Sequence, residues 1–111
     1  MSDWRDQEAT TQTIFREINE WTEEGNDARF GVGPRIDSYL CECSDRRCTE
    51  SVQVTRLEYE LIRAEPLRFL IALNHENPEI DRLVEENERF GTVDMFHGFP
   101  VRIARKTYPR R

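Results

Sequence analysis

Three cysteines fall within eight residues, Cys41, Cys43 and Cys48, in the pattern C-x-C-x4-C. An odd number of thiols cannot close into disulfides without a remainder, so the cluster is not a simple set of staples. Residues 1–12 are polar and acidic, unlike a secretory signal, which predicts a cytoplasmic, reducing setting. Clustered thiols in such a compartment point to metal ligation or redox chemistry. A structural zinc takes four thiolate or imidazole ligands in a tetrahedron. On a strand, Cys41 and Cys43 project to one side, and Cys48 returns after the turn Ser44–Arg47. The fourth ligand has to come from His75 or His97, the two histidines of the chain. His75 is the better placed, because it closes the apolar run Phe69–Leu73, which can lie beside the cysteine strand. The expectation is one structural zinc held by Cys41, Cys43, Cys48 and His75. A second reading uses the same thiols for redox work, with Arg46 and Arg47 placed to lower their pKa values. Glu76 is read as a hydrogen-bond acceptor that orients His75, and His97 as a turn residue.

The rest of the chain reads as a single α+β domain of 111 residues, with a small antiparallel sheet, packed helices and a cysteine-bearing hairpin. Its parts are an N-terminal helix and glycine-containing loop (1–35), an α+β core (36–98) and a basic C-terminal segment (99–111). The first helix spans 8–24, with Ile14, Ile18 and Trp21 on its inward face and Gly25-Asn26 as its stop. Trp4, Phe15 and Trp21 also make it a candidate partner-binding element. Residues 36–43 and 51–54 are extended and form the hairpin. Thr55 and Glu58 have capping-box spacing and open a helix with Leu57, Leu61 and Ile62 inward, ended by Pro66. On that helix Glu60 and Arg63 are spaced to pair, and Tyr59 packs with its hydroxyl at the rim. Arg68–Leu73 is a buried strand. Pro78 opens a helix with Ile80, Leu83 and Val84 inward, running to Gly91. Thr92–Phe96 is a strand, and 101–107 fits either period.

Charge narrows the function. The formal net charge is −6, which disfavours nucleic acid and an anionic membrane surface as partners. No apolar run reaches the ~20 residues of a membrane span. The last 13 residues reverse the sign, with five basic groups and no acid. That tail can meet the body itself, an acidic partner or phosphate. Arginine outnumbers lysine 15 to 1, as codon usage in a GC-rich genome produces and as carboxylate or phosphate pairing favours. No glycine-rich phosphate loop, nucleophile elbow or two-histidine helix motif occurs. The function expected is therefore a non-enzymatic, zinc-stabilised regulatory or protein-interaction module with a protein partner. The alternative is a cysteine-based redox sensor or small enzyme at the same site.

Tyr39-Leu40-Cys41-Glu42-Cys43, Cys48, Val54-Thr55, Glu58-Tyr59-Glu60, Pro66, Arg68-Phe69 and His75-Glu76 occur in this order, followed by Thr107-Tyr108-Pro109-Arg110. From about Asn19 to Arg110 the chain resembles a group of small actinobacterial proteins of no established activity. Their pattern runs F-x-C-E-C-x4-C, L-T-x2-E-Y-E, P-x-R-F and G-H-E. The resemblance implies that Cys41, Cys43, Cys48 and His75 belong to one constellation. The chain departs from the pattern at Asn74, where glycine is usual, and over Phe96–Val101.

Overall fold

The computed structural model describes residues 4–96 and 98–110, with the side chains of 98–100 and 103 outside the description. The order of elements is α1 (Trp4–Phe30), β1 (Ile36–Leu40), β2 (Ser51–Thr55), α2 (Arg56–Arg63), β3 (Arg68–Ile71), β4 (Asp81–Glu86), β5 (Gly91–Met95) and α3 (Gly98–Lys106). The expected α+β class holds, built on two antiparallel sheets rather than one: β1-β2, and a three-stranded sheet ordered β3-β5-β4. The reading of His97 as a turn residue lies outside the described residues. Among the described residues no helix is long and apolar enough to cross a membrane.

β1 and β2 form the expected hairpin, with Ile36 opposite Thr55 and Leu40 opposite Ser51. The ladder runs on through a bond from Cys41 N–H to the Glu50 carbonyl, 3.0 Å. The chain passes directly from β2 into α2 through the capping box. Thr55 Oγ1 accepts from Glu58 N at 3.1 Å, and Glu58 Oε1 accepts from Thr55 N at 2.8 Å. The inward face of α2 carries Tyr59, Ile62 and Arg63, whereas Leu57 and Leu61 face solvent, contrary to the apolar stripe expected there. Tyr59 stacks on Tyr39, centroids 4.2 Å apart, and is buried down to its hydroxyl rather than reaching the rim. Arg63 turns inward as well, so Glu60 does not pair with it and meets Arg110 and Arg56 instead.

The segment from Pro78 corrects the sequence reading most sharply. It makes one turn, not a helix. Asn77 accepts from Ile80 N and Asp81 N on its carbonyl and from Glu79 N on its side chain, and the chain then extends into β4. Asn87 closes the β4–β5 hairpin, its side chain accepting from Arg89 N and Phe90 N. Ile80 is buried, but Leu83 and Val84, expected to face inward, are exposed on β4, where the register jumps between Leu83 and Glu85 and skips Val84. β4 is an edge strand studded with Arg82, Glu85 and Glu86, a composition that discourages further strand pairing.

α1 is longer than expected and turned the other way. It runs through Gly25 and stops at Gly31, whose φ of 83° and bond to the Asp27 carbonyl make a left-handed cap. Asp27 is gripped by Arg35 and Arg56, which fixes that last turn to the hairpin. The inward face is Ala9, Gln12, Thr13, Arg16, Asn19, Glu20 and Glu23. Ile14 is 51% and Trp21 63% exposed, on the outer face. Polar side chains therefore dock this helix. Asn19 bridges both backbone groups of Leu40 at 2.9 Å, and Arg16 donates to the Pro66 and Ala104 carbonyls. Residues 101–107, of open period in the sequence, belong mostly to α3, which packs on α1. Beyond α3, Arg110 binds Glu20, Glu23 and Glu60, so the basic tail meets the acidic body. The Glu23 carboxyl is raised by burial first and then by its neighbour Glu60.

Because the docking face is polar, Asn19→Leu should cost about 3 kcal/mol by orphaning the Leu40 backbone groups. Ile14→Ser, on the outer face, should stay within about 0.5 kcal/mol of wild type. Urea unfolding of the two variants checks the pair, and the reverse ranking would contradict the orientation.

Candidate metal centre

Cys41 and Cys43 continue the line of β1 and are both buried. Between them Glu42 N–H bonds the Leu70 carbonyl at 2.7 Å, which splices this segment onto β3 and joins the two sheets. Cys48 is brought back by a tight turn, with Asp45 accepting from Cys48 N on its carbonyl and from Arg47 N on its side chain. His75 sits just past β3. Its N–H closes a turn on the Ala72 carbonyl, and Asn74 takes the left-handed region at φ 67°. Asparagine tolerates that region better than most residues, so it can occupy a turn where glycine would also serve.

These turns bring all four side chains expected from the sequence to one point. The three sulfurs and a ring nitrogen of His75 lie within 4.8 Å of one another. His75 Nδ1 is 3.5 Å from Cys41 Sγ and 3.6 Å from Cys48 Sγ. The separation has a direct meaning. Zinc bonds of about 2.3 Å to sulfur and about 2.0 Å to nitrogen put sulfur and nitrogen about 3.5 Å apart across a tetrahedron. The four residues could therefore hold a metal ion, and the donor set suits a soft or borderline one. The Ala72 N–H donates to Cys41 Sγ at 3.1 Å, which stabilises negative charge on that sulfur.

The thiols are unequal. Cys43 is pulled below its ordinary pKa, first by a hydrogen bond from Cys41, and Cys41 is pushed up by that same bond and by burial. Burial also raises Cys48. Arg46 and Arg47, expected to tune these groups, are exposed. Glu76 makes no hydrogen bond to His75 among the described residues. It lines, with Cys43, Asp45, His75 and Asn77, a shallow cleft of about 330 Å³ that opens on the cluster.

On the opposite side of the cysteine strand lies a group the sequence reading assigned no role. Glu42 is fully buried. Its carboxylate takes Arg63 Nη1 at 3.1 Å on both oxygens, Asn19 Nδ2 at 2.8 Å and Leu70 N at 2.9 Å. Arg63 also donates to the Arg68 carbonyl; burial lowers its pKa most, and Glu42, Tyr59 and Glu20 together raise it above the ordinary value. Nearby Arg16, stacked on Phe69, has no carboxylate partner among the described residues, and burial and Arg63 lower it to about 10. Strand alternation carried the signal for Glu42: if Cys41 and Cys43 face the metal, residue 42 faces the interior. Asp81 is another buried carboxyl, held by Gln12 Nε2 at 3.1 and 3.3 Å. Comparison with family models, curated proteins and solved structures gives no match to this chain.

Two outcomes follow from these carboxyls. Glu42→Gln leaves Arg63 buried without its counter-charge and should cost about 3 kcal/mol or more in urea unfolding. A cost under about 1 kcal/mol would contradict the central place of the pair. Burial raises Asp81 to about 7 from its ordinary 3.8. Its protonated form is favoured by folding, so that contribution is complete below about pH 4 and is lost as pH rises through about 7. The stability of Asp81→Asn relative to wild type should therefore climb between pH 5.5 and 8, and a flat difference would contradict the shift.

Proposed function

We propose that this chain is a zinc-stabilised domain, with one zinc per chain bound by Cys41, Cys43, Cys48 and His75, acting without catalysis as a regulatory or protein-interaction module. The carrying observation is the convergence of three sulfurs and Nδ1 at the spacing of a tetrahedral sulfur–nitrogen edge. Four protein donors fill a tetrahedral sphere and leave no position for a water to be activated, as in structural rather than catalytic zinc sites. In this reading the metal supplies cross-linking between the β1–β2 hairpin and the turn after β3. The resemblance to the actinobacterial group supports the same constellation, and the left-handed Asn74 stands where that group carries glycine. Three unpaired thiols suit a reducing compartment, which supports a cytoplasmic setting. A protein partner is favoured by the outward Ile14 and Trp21 of α1 and by a net charge of −6, which opposes nucleic acid.

One observation favours the sensor reading as the alternative. Cys48 and His75 are only half-buried, and the cleft reaches Cys43. Peroxide could thus oxidise two thiolates to a disulfide, being itself reduced to water, and expel the metal.

If zinc is structural, its binding energy is largely folding energy. Chelation of the wild type and Cys43→Ser should each lower the melting temperature by about 8 °C or more, the equivalent of roughly 2 kcal/mol. The holoprotein should react slowly with thiol reagents and the metal-free protein quickly. Unchanged melting would contradict the structural role. Prompt, stoichiometric zinc release at micromolar peroxide, followed with a chelating dye, would favour the sensor.

A further inference from the structure

The cysteine segment and the helix α1 are mechanically one unit. Residues 40–42 carry most of the anchors on the hairpin side. Asn19 accepts from Leu40 N and donates to Leu40 O, both at 2.9 Å. It donates again to Glu42 Oε2 at 2.8 Å, and Gln12 Nε2 approaches Glu42 O at 3.4 Å. Leu40 and Glu42 flank or separate the two buried cysteines, so the helix is tied to the backbone that presents the sulfurs. Just beyond, Asn77 joins Glu8 of α1 to Ser44 of the cysteine loop, at 2.6 and 3.0 Å.

The remaining hold on α1 is also polar. Ala9 is the one hydrophobic side chain on its buried face among the described residues. A helix docked through an apolar face undocks at a large hydrophobic cost. A helix docked through hydrogen bonds exchanges those bonds for water, so its hold depends on the partner atoms being fixed in place. The β3-β5-β4 sheet has its own ladders, its strands carry no cysteine, and its buried Phe69, Leu70, Val93 and Met95 form part of the shared hydrophobic core. The two parts of the fold thus differ in what the metal does for them.

We infer that metal occupancy at the cysteine–histidine cluster controls the docking of α1, so that losing the ion releases this helix while the β3-β5-β4 sheet stays formed. The inference rests on the zinc reading above and deepens it by naming what the site regulates. With the ion bound, Cys41 and Cys43 are fixed, residues 40–42 hold their line, and Asn19 meets Leu40 and Glu42 while Gln12 spans Glu42 and Asp81 of β4. Without it, that segment loses its cross-link to Cys48 and His75, and the anchors lose their geometry. Release frees Gln12, Asn19 and the inward charges of α1 to solvent, and frees Ile14 and Trp21 from a fixed orientation. Coupling of this kind is reciprocal, so loosening the helix must also weaken the metal.

Hydrogen exchange by mass spectrometry on the full chain, with the metal content of each sample measured alongside, tests both directions. On chelation, exchange should rise at least tenfold in peptides covering residues 9–24 and stay within about twofold in those covering 69–71 and 92–95. Asn19→Ala and Gln12→Ala, which touch no proposed ligand, should bind zinc about tenfold more weakly in chelator competition. Zinc loss with no change over 9–24, or equal loss of protection in every segment, would overturn the inference while leaving the zinc site standing. So would wild-type zinc affinity in both variants. Wild-type protein without bound zinc would overturn the underlying reading as well, and the metal measurement reveals that separately.

Discussion

The carboxylate of Glu42 is the interaction on which the rest of the structure depends. It lies between two cysteines on an extended segment, so alternation sends the sulfurs one way and the carboxylate the other. On the inner side it meets Arg63 of α2, Asn19 of α1 and the backbone of β3 at Leu70. One side chain thereby ties together the long helix, the short helix and both sheets. A fully buried ion pair is weak evidence of net stability, because desolvating both charges offsets most of their attraction. Its consequence is specificity. A charge at this depth has only one arrangement that satisfies it, and that arrangement fixes where Cys41 and Cys43 point.

Local chemistry made much of the site legible. The turn Ser44–Arg47, the capping box at Thr55 and Glu58, and the alternation of Tyr39, Cys41 and Cys43 are short-range patterns, and each appears in the structure. His75 follows a buried strand in the sequence, which puts it within reach of the cysteine strand, and it lies beside the sulfurs. The parts that were not legible depend on tertiary pairing. Ile80, Leu83 and Val84 have helical spacing, yet Ile80 closes a turn on Asn77, and the Asn87 turn and pairing with β5 draw Leu83 and Val84 into a bulged strand. Ile14, Ile18 and Trp21 form an apolar stripe, and hydrophobic periodicity assigns such a stripe to the core. Here the opposite face is buried, because Gln12, Arg16, Asn19, Glu20 and Glu23 each find a partner there. No periodicity of hydrophobic residues reveals a docking face built from hydrogen bonds.

The acidic body and basic tail find one explanation in Arg110. Its guanidinium closes over Glu20, Glu23 and Glu60, fastening the end of the chain across α1 and α2. Arginine suits this position because its planar fork can serve several carboxylates at once. The same preference recurs where Arg35 and Arg56 share Asp27, Arg68 meets Asp94 and Arg89 meets Glu58. The abundance of arginine over lysine is thus used in the fold, whatever the origin of the bias.

A metal at the cysteine–histidine cluster would cross-link, from the other side of the strand, the segment that Glu42 and Asn19 hold from within. X-ray absorption at the zinc edge, on untagged protein purified under reducing conditions, tests it most directly. One zinc per chain should show three sulfur neighbours at about 2.3 Å and one nitrogen at about 2.0 Å. An edge far below one zinc per chain, or a coordination sphere of oxygen and nitrogen alone, would contradict it.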